Sequence, residues 1–301
     1  MARSFPPDVV ILDTDALVHA RLGRGKTNPR LLQAKAYRLA AGTFTPALVT
    51  PSLDSEPQLA ETLRRLRNET GKWDKVSLLL PDSWFRMNIV ELPTLPEKEA
   101  DAMEVVRWSL KRTLPIAPEL LRVSFTVLSR GAEGARVLVL SAMEATLAAI
   151  EKTFAAAGIE VVLIEPLGLN IWNAITVREA ETTADRLFLY VRETDFTTAV
   201  FRGSQPLFIR SRNLSGERSV EQEIRLSAGF LRDSLNIESF AQCYVAGLAP
   251  EAVHETLAAE FDTKVRPIVL RDYVDEVPSD LHGDLDRLGA ELTACTGVFT
   301  G

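Results

Sequence analysis

Two stretches of this chain repeat one another. VVILDTDALVHARLG (residues 9–23) and FLYVRETDFTTAVFRG (residues 188–203) each read as an apolar strand, an acidic turn with Thr-Asp, a second strand and a glycine. Asp15 stands as far from Gly23 as Asp195 does from Gly203. Two hairpins can be alike by chance. The other account is a duplicated unit that opens each half of an α/β protein, and 301 residues are enough for two such halves.

The rest of the sequence alternates strands with helices. KVSLLLP (75–81) reads as a buried strand after the amphipathic helix QLAETLRRLRNETG (58–71). A compact unit follows. WFRMNIVELP (84–93) is a strand, PEKEADAMEVVRWSLKRTL (96–114) a helix with Pro96 at its start, and RVSFTVLS (122–129) and ARVLVLSA (135–142) are two strands around a glycine-containing turn. Next come a helix (144–158), a strand (159–165) and a helix (166–177), and then the polar stretch REAETTAD (178–185), which reads as a linker. The second half carries three strands at 186–192, 197–203 and 205–214, the long helix 217–236, the strand QCYVAG (242–247), a helix to Lys264, a strand at 265–270 and a last helix at 284–295. RLLQAKAYRLA (30–40) has helical propensity, though a third strand also fits it.

Composition narrows the function. Net charge is −7 with no basic block or aromatic–basic stripe, which argues against nucleic acid. Nowhere do 18 apolar residues run together, and the N-terminus has no apolar signal core, so the expectation is a cytoplasmic protein. Cys243 and Cys295 stand far apart and read as buried free thiols.

Catalytic motifs are weak. ARLGRGKT (20–27) imitates a phosphate loop, but Pro29 would fall inside the helix such a loop must open, at a cost of about 3 kcal/mol. The turn Asp13-Thr14-Asp15 fits either a magnesium carboxylate or an ordinary solvated turn. His19, His254 and His282 lack metal-ligand spacing, and no nucleophile elbow or dinucleotide fingerprint occurs. Trp108, mid-helix beside Val105, reads as a core residue or as an anchor lining a groove.

Three long phrases carry a resemblance. LLLPDSWFRMNIVELPTLPEKEADAMEVVRWSLKRTLPIAPELLRVSFTVL (78–128), VLVLSAMEATLAAIEKTFAAAGIEVVLIEPLGLNIW (137–172) and LFLYVRETDFTTAVFRGSQPLFIRSRNLSGE (187–217) resemble, in that order, successive modules of PilM, the actin-like cytoplasmic protein of type IV pilus assembly. FtsA and the cytoplasmic part of GspL share the architecture and are less similar. The resemblance implies an α/β, actin-like (ribonuclease H-like, duplicated) fold. Subdomain IA would take residues 1–82 and 143–182, with the helix 284–301 returning to it. An inserted strand–helix–strand–strand subdomain IC would take 83–142, and subdomain IIA 183–283. ARLGRGKT then becomes a hairpin tip and 30–40 a third strand. Subdomain IIB is expected to be missing or reduced, because NLSGE (213–217) runs directly into the long helix.

The nucleotide motifs that the resemblance implies are degenerate here. Asp13, Thr14 and Asp15 stand where ATP-binding members have Asp-x-Gly, so a carboxylate replaces the glycine that lets backbone amides approach phosphates. A gapless alignment sets Tyr190, Val191 and Arg192 over the second such turn, and Gly247 alone remains of the adenosine-side Gly-Gly. The resemblance therefore implies no enzyme activity and no cofactor. It implies a scaffold that binds the N-terminal cytoplasmic peptide of a PilN-like inner-membrane partner in a groove between IA and IC, with contact to the membrane only through that partner. Phe85, Met87, Val105 and Trp108 are the groove candidates. The alternatives are an active actin-like ATP-binding protein using Asp13 or Asp15 on magnesium, and a filament-forming protein.

Overall fold

A computed structural model describes residues 5–300 apart from 41–42, 46–51, 54–55, 112, 115, 180–182, 215–217, 250 and 282–284. His282 and parts of the expected linker and of NLSGE therefore lie outside the described residues.

The first half opens with β1 (Asp8–Leu12), β2 (Ala16–Gly23) and β3 (Arg30–Arg38), each antiparallel to the one before. A two-residue pair, β4 (Phe44–Thr45) and β5 (Ser52–Leu53), precedes α1 (Glu56–Thr70) and β6 (Lys75–Leu80). The chain then builds β7 (Arg86–Leu92), α2 (Glu99–Leu110), β8 (Leu121–Gly131) and β9 (Gly134–Met143) before returning through α3 (Glu144–Ala156), β10 (Glu160–Pro166) and α4 (Leu167–Arg178). The second half has β11 (Asp185–Val191), β12 (Asp195–Arg202), β13 (Gln205–Asn213), α5 (Val220–Leu235), β14 (Gln242–Gly247), α6 (Glu251–Phe261) and β15 (Val265–Pro267), and α7 (Leu285–Thr300) ends the described chain.

The two large sheets repeat strand for strand. Their orders are β3-β2-β1-β6-β10 and β13-β12-β11-β14-β15. In both, a three-stranded antiparallel meander is followed by two parallel strands. The parallel strands need crossover helices, which explains why helix and strand alternate only after each hairpin. Both first strands are buried on both faces, as central strands must be.

Helices α4 and α7 are wedged between the halves. Ile171, Trp172 and Ile175 of α4 and Leu292, Cys295 and Val298 of α7 share one core with residues of both sheets. The crossing is tight, since a Cβ on Gly297 would come within 1.9 Å of the Asn170 carbonyl. Helices α1 and α3 cover the other face of the first sheet, and α5 and α6 that of the second. The sheet β7-β9-β8 has its own core under α2. Between Asn213 and Val220 the chain is too short to hold a further subdomain.

Residues 30–38 form a strand despite their helical propensity. Pairing along the whole of β2 buries Leu31 and Ala34, and that tertiary gain overrides a local preference. Helix α2 is shorter than the expected 96–114. It stops at Leu110, four residues short, where the Lys111 amide turns to the Trp108 carbonyl and tightens the last turn.

Candidate functional site

The two hairpin turns face each other across the cleft between the halves. Each closes with the same bond: the Asp13 amide donates to the Ala16 carbonyl and the Arg192 amide to the Asp195 carbonyl, both at 2.8 Å. Arg192 is thus the counterpart of Asp13. The gapless alignment over Tyr190–Arg192 is displaced by two residues, and Tyr190 lies inside β11, fully buried. The match of Gly23 with Gly203 is displaced too, because Gly23 ends β2 whereas Gly203 follows β12 in the turn. Equal spacing misled by one place, since Asp15 precedes its strand and Asp195 begins its own.

Between the turns lies a cavity of about 230 Å³ lined by Asp13, Thr14, Asp15, Arg192, Glu193 and Thr194, with Leu248 and Leu288 at its side. Its floor is a charge network. The Arg192 guanidinium donates through Nη2 to Asp13 Oδ1 and through Nη1 to Asp195 Oδ2, the latter at 3.2 Å. Asp195 Oδ2 also accepts from Thr194 at 3.0 Å and from Ser83 at 3.3 Å, and Asp13 Oδ1 accepts from the Thr14 amide at 2.6 Å. Burial works against the Arg192 charge, but Tyr190, Asp13, Asp195 and Glu291 around it outweigh burial and hold its pKa above the ordinary value.

Asp82 lies beneath this pair with no exposed surface. It accepts from Thr197 Oγ1 at 2.6 Å and from the Gly168 amide at 2.8 Å, at the start of α4. The helix N-terminus favours a carboxylate there. Only glycine fits at 168, because a Cβ would sit 2.2 Å from Asp82 Oδ2. Burial nevertheless pushes the Asp82 pKa up to about 6. Glu291 of α7, raised by burial, accepts from the Tyr190 hydroxyl at 3.0 Å. Gly247 keeps a packing role: at φ +82° it lies where a Cβ would meet the Val191 carbonyl at 2.1 Å. Among the described residues no three potential ligands gather to hold a metal ion. His19 is buried, stacked on Trp73 and bonded to Asp8 at 2.8 Å, and both cysteines are buried free thiols.

A second concavity of about 420 Å³ runs between the sheet β7-β9-β8 and β10. Arg122, Ser124 and Thr126 of β8 and Leu138 and Leu140 of β9 form one wall, and Val161–Glu165 form the other. Because strand side chains alternate, this wall is the face opposite the one that packs on α2. Strand β10 is the edge of the first sheet, and a bulge between Val161 and Leu163 leaves Val162 40% exposed beside the groove. At one end Arg122 is held by Glu144 and Glu151. Deeper in, burial raises the Glu165 pKa, and Asn170 donates to it at 2.9 Å.

The four sequence candidates do not assemble here. Phe85 lines the groove, but Met87 is buried in the core of the first half, Val105 of α2 packs against the core of the inserted sheet, and Trp108 stands 63% exposed on that helix. Period-two alternation in 122–126 and 136–142 signals a two-faced sheet, and with it the groove wall. Nothing local in the sequence signals the bridge from Arg192 to Asp13, which joins residues from opposite halves.

No protein-family model matches the chain, and no curated protein matches it in sequence. Solved structures do. The structure of a PilM–PilN type IV pilus biogenesis complex is 19% identical, covers 99% of this chain and 98% of its own, and superposes with a TM-score of 0.82. A Bacteroides thetaiotaomicron protein with an actin-like ATPase fold and unknown function is 12% identical over 89% of this chain and 91% of its own, with a TM-score of 0.56. The cytoplasmic domain of EpsL, an inner-membrane component of the type II secretion system of Vibrio cholerae, is 14% identical over 98% and 94%, with a TM-score of 0.54. With its two sheets repeating strand for strand, this chain has the actin-like fold, in the arrangement seen in the PilM–PilN complex.

Proposed function

We propose that the chain is a PilM-like scaffold of a pilus or secretion-type assembly machine, and that the groove beside β10 receives the N-terminal cytoplasmic peptide of a PilN-like inner-membrane protein. The observation that carries this reading is the groove itself. A sheet edge unpaired among the described residues lies along one wall and an alternating apolar and polar face along the other. That combination suits an extended peptide, which gains main-chain hydrogen bonds from the edge and side-chain pockets from the facing sheet. The chain would sit at the cytoplasmic side of the inner membrane through this partner. Among the described residues no helix is long and apolar enough to cross a membrane.

The cleft between the halves supports binding rather than hydrolysis. A magnesium nucleotide needs a free carboxylate for the metal and unobstructed amides for its phosphates. Here Asp13 is engaged by Arg192, and Asp15 and Glu193 line the cavity with further negative charge. The residues present do not fit the nucleotide unless Arg192 leaves.

Fluorescence anisotropy with a labelled peptide from the N-terminus of a PilN-like protein tests the groove. Saturable binding that is lost with L140D is expected, and binding indifferent to L140D would defeat the reading. Thermal unfolding with millimolar Mg·ATP tests the cleft, where no shift is expected. A rise of several degrees would restore the nucleotide-binding alternative.

A further inference from the structure

Among the described residues, every buried or half-buried arginine but one has a carboxylate or carbonyl partner. The exception is Arg86, the first residue of β7. It shares a sheet face with Asn88 and with Ser141, its cross-strand neighbour, and Arg86 Nε, Asn88 Oδ1 and Ser141 Oγ are all buried without a hydrogen bond. Three orphaned polar atoms together on one sheet face are unusual, because buried polar groups are nearly always satisfied.

The neighbouring strand adds charge of the same sign. Strand β13 packs along the edge of β7. Gln205, at its start, donates to the Leu128 carbonyl of β8 at 2.8 Å, which leaves the Arg210–Arg212 end of β13 beside Arg86. Arg210 has a buried, unpartnered Nε and reaches Glu223 only at 3.5 Å, and Arg218 takes the same carboxylate at 3.2 Å. Arg212 is exposed and has no hydrogen bond or ion pair among the described residues. Burial first, and then the charge of Arg212, lower the pKa of both Arg86 and Arg210, so the three groups are close enough to repel. This positive cluster belongs to a chain whose net charge is −7, so it is a local feature.

We propose that Arg86, Arg210 and Arg212 form a binding site for a phosphate group at the seam between the inserted sheet and the second half. A carboxylate is filled by one planar guanidinium fork, whereas three guanidiniums from two separate sheets suit the extra oxygens and double charge of phosphate. Bound there, the phosphate would tie the inserted sheet to β13.

The phosphate could be free, or could be the headgroup of a phospholipid. Isothermal titration with inorganic phosphate at constant ionic strength, against chloride, separates the first source. Cosedimentation with phosphatidylglycerol vesicles, against phosphatidylcholine, separates the second. One of the two is expected to bind. R212Q, at an exposed position that the fold does not need, should weaken that binding roughly tenfold, as loss of a charge-assisted bond does, and R86Q should do the same. R232Q, whose arginine pairs with Glu260 on the far side of α5, should leave it unchanged. Binding of neither probe, or binding that R212Q leaves intact, would overturn the proposal.

Discussion

The cleft between the two hairpin turns and the groove beside β10 are both concave and both lined with charge, yet they are built in opposite ways. In the cleft, the buried carboxylates of the first half are answered by the second half: Asp13 from the first turn meets Arg192 from the second, and Asp82, just after β6, meets Thr197 of β12. In the groove the strongest polar groups are engaged at its end and floor, Arg122 by two glutamates and Glu165 by the Asn170 amide, while the edge of β10 faces the opening unpaired among the described residues. A concavity that satisfies itself leaves little for a ligand to gain, whereas one with an open strand edge offers main-chain bonds. The difference is between a seal and a site.

The largest expected effect comes from breaking the seal. R192A leaves Asp13 and Asp195 buried without a counter-charge, at 14% and 1% side-chain exposure. Removing one partner of a buried ion pair costs about 3–5 kcal/mol. Chemical denaturation should show a loss of that order, while the apparent affinity for the groove peptide of the protein that remains folded stays unchanged. A loss within about 0.5 kcal/mol, the range of an ordinary surface substitution, would mean that the bridge is incidental and the contrast with the groove is wrong.

The second effect concerns pH. The folded-state pKa of Asp82, about 6, is raised from 3.8, so the folded protein holds its proton longer than the unfolded chain does. The Asp82 contribution to stability therefore falls as pH rises between about 4 and 6, and levels off above. Asp195 and Glu291, also raised by burial, slope the same way. D82N should flatten the Asp82 part, worth roughly 3 kcal/mol across that window, since the amide can still accept from Gly168 and donate to Thr197. Urea midpoints of both proteins from pH 4 to 7 check this, and parallel profiles would show that Asp82 does not carry the slope.

The contrast also marks what the sequence can tell. The hairpins were readable because a strand pair is local, and its apolar runs and turn residues lie within about fifteen positions. The insertion was readable because its strands alternate and its helix is amphipathic. Residues 30–38 were ambiguous because the strand exists only through its pairing with β2. The role of Arg192 could not be read, since its partner Asp13 lies in the opposite half and an arginine in a turn is ordinarily solvated. An alignment without gaps then placed Tyr190 in the turn, two residues from its true position in β11. The four groove candidates, read from one stretch of sequence, lie apart in the structure for a related reason. Val105 follows the amphipathic signal of α2 into the core of the inserted sheet, Trp108 stands exposed on the same helix, and the groove lies on the other side of the sheet.

That last point leads to the smallest effect on stability and the sharpest test of which face binds. Val162 and Trp108 are both apolar and partly exposed, at 40% and 63%, and they lie on opposite sides of the inserted sheet. Neither V162D nor W108A removes a core contact, so each should shift the unfolding free energy by no more than about 0.5 kcal/mol. Their effects on peptide binding should part. V162D puts a carboxylate beside the edge of β10, where an incoming strand would desolvate it, and an affinity loss of at least about tenfold is expected, since burying an unpaired charge costs more than the 1.4 kcal/mol that a factor of ten represents. W108A should leave the affinity within twofold, a bound set well below that tenfold loss. If instead the tryptophan variant loses binding and the valine variant keeps it, the peptide docks on α2, and the open edge of β10 needs another explanation.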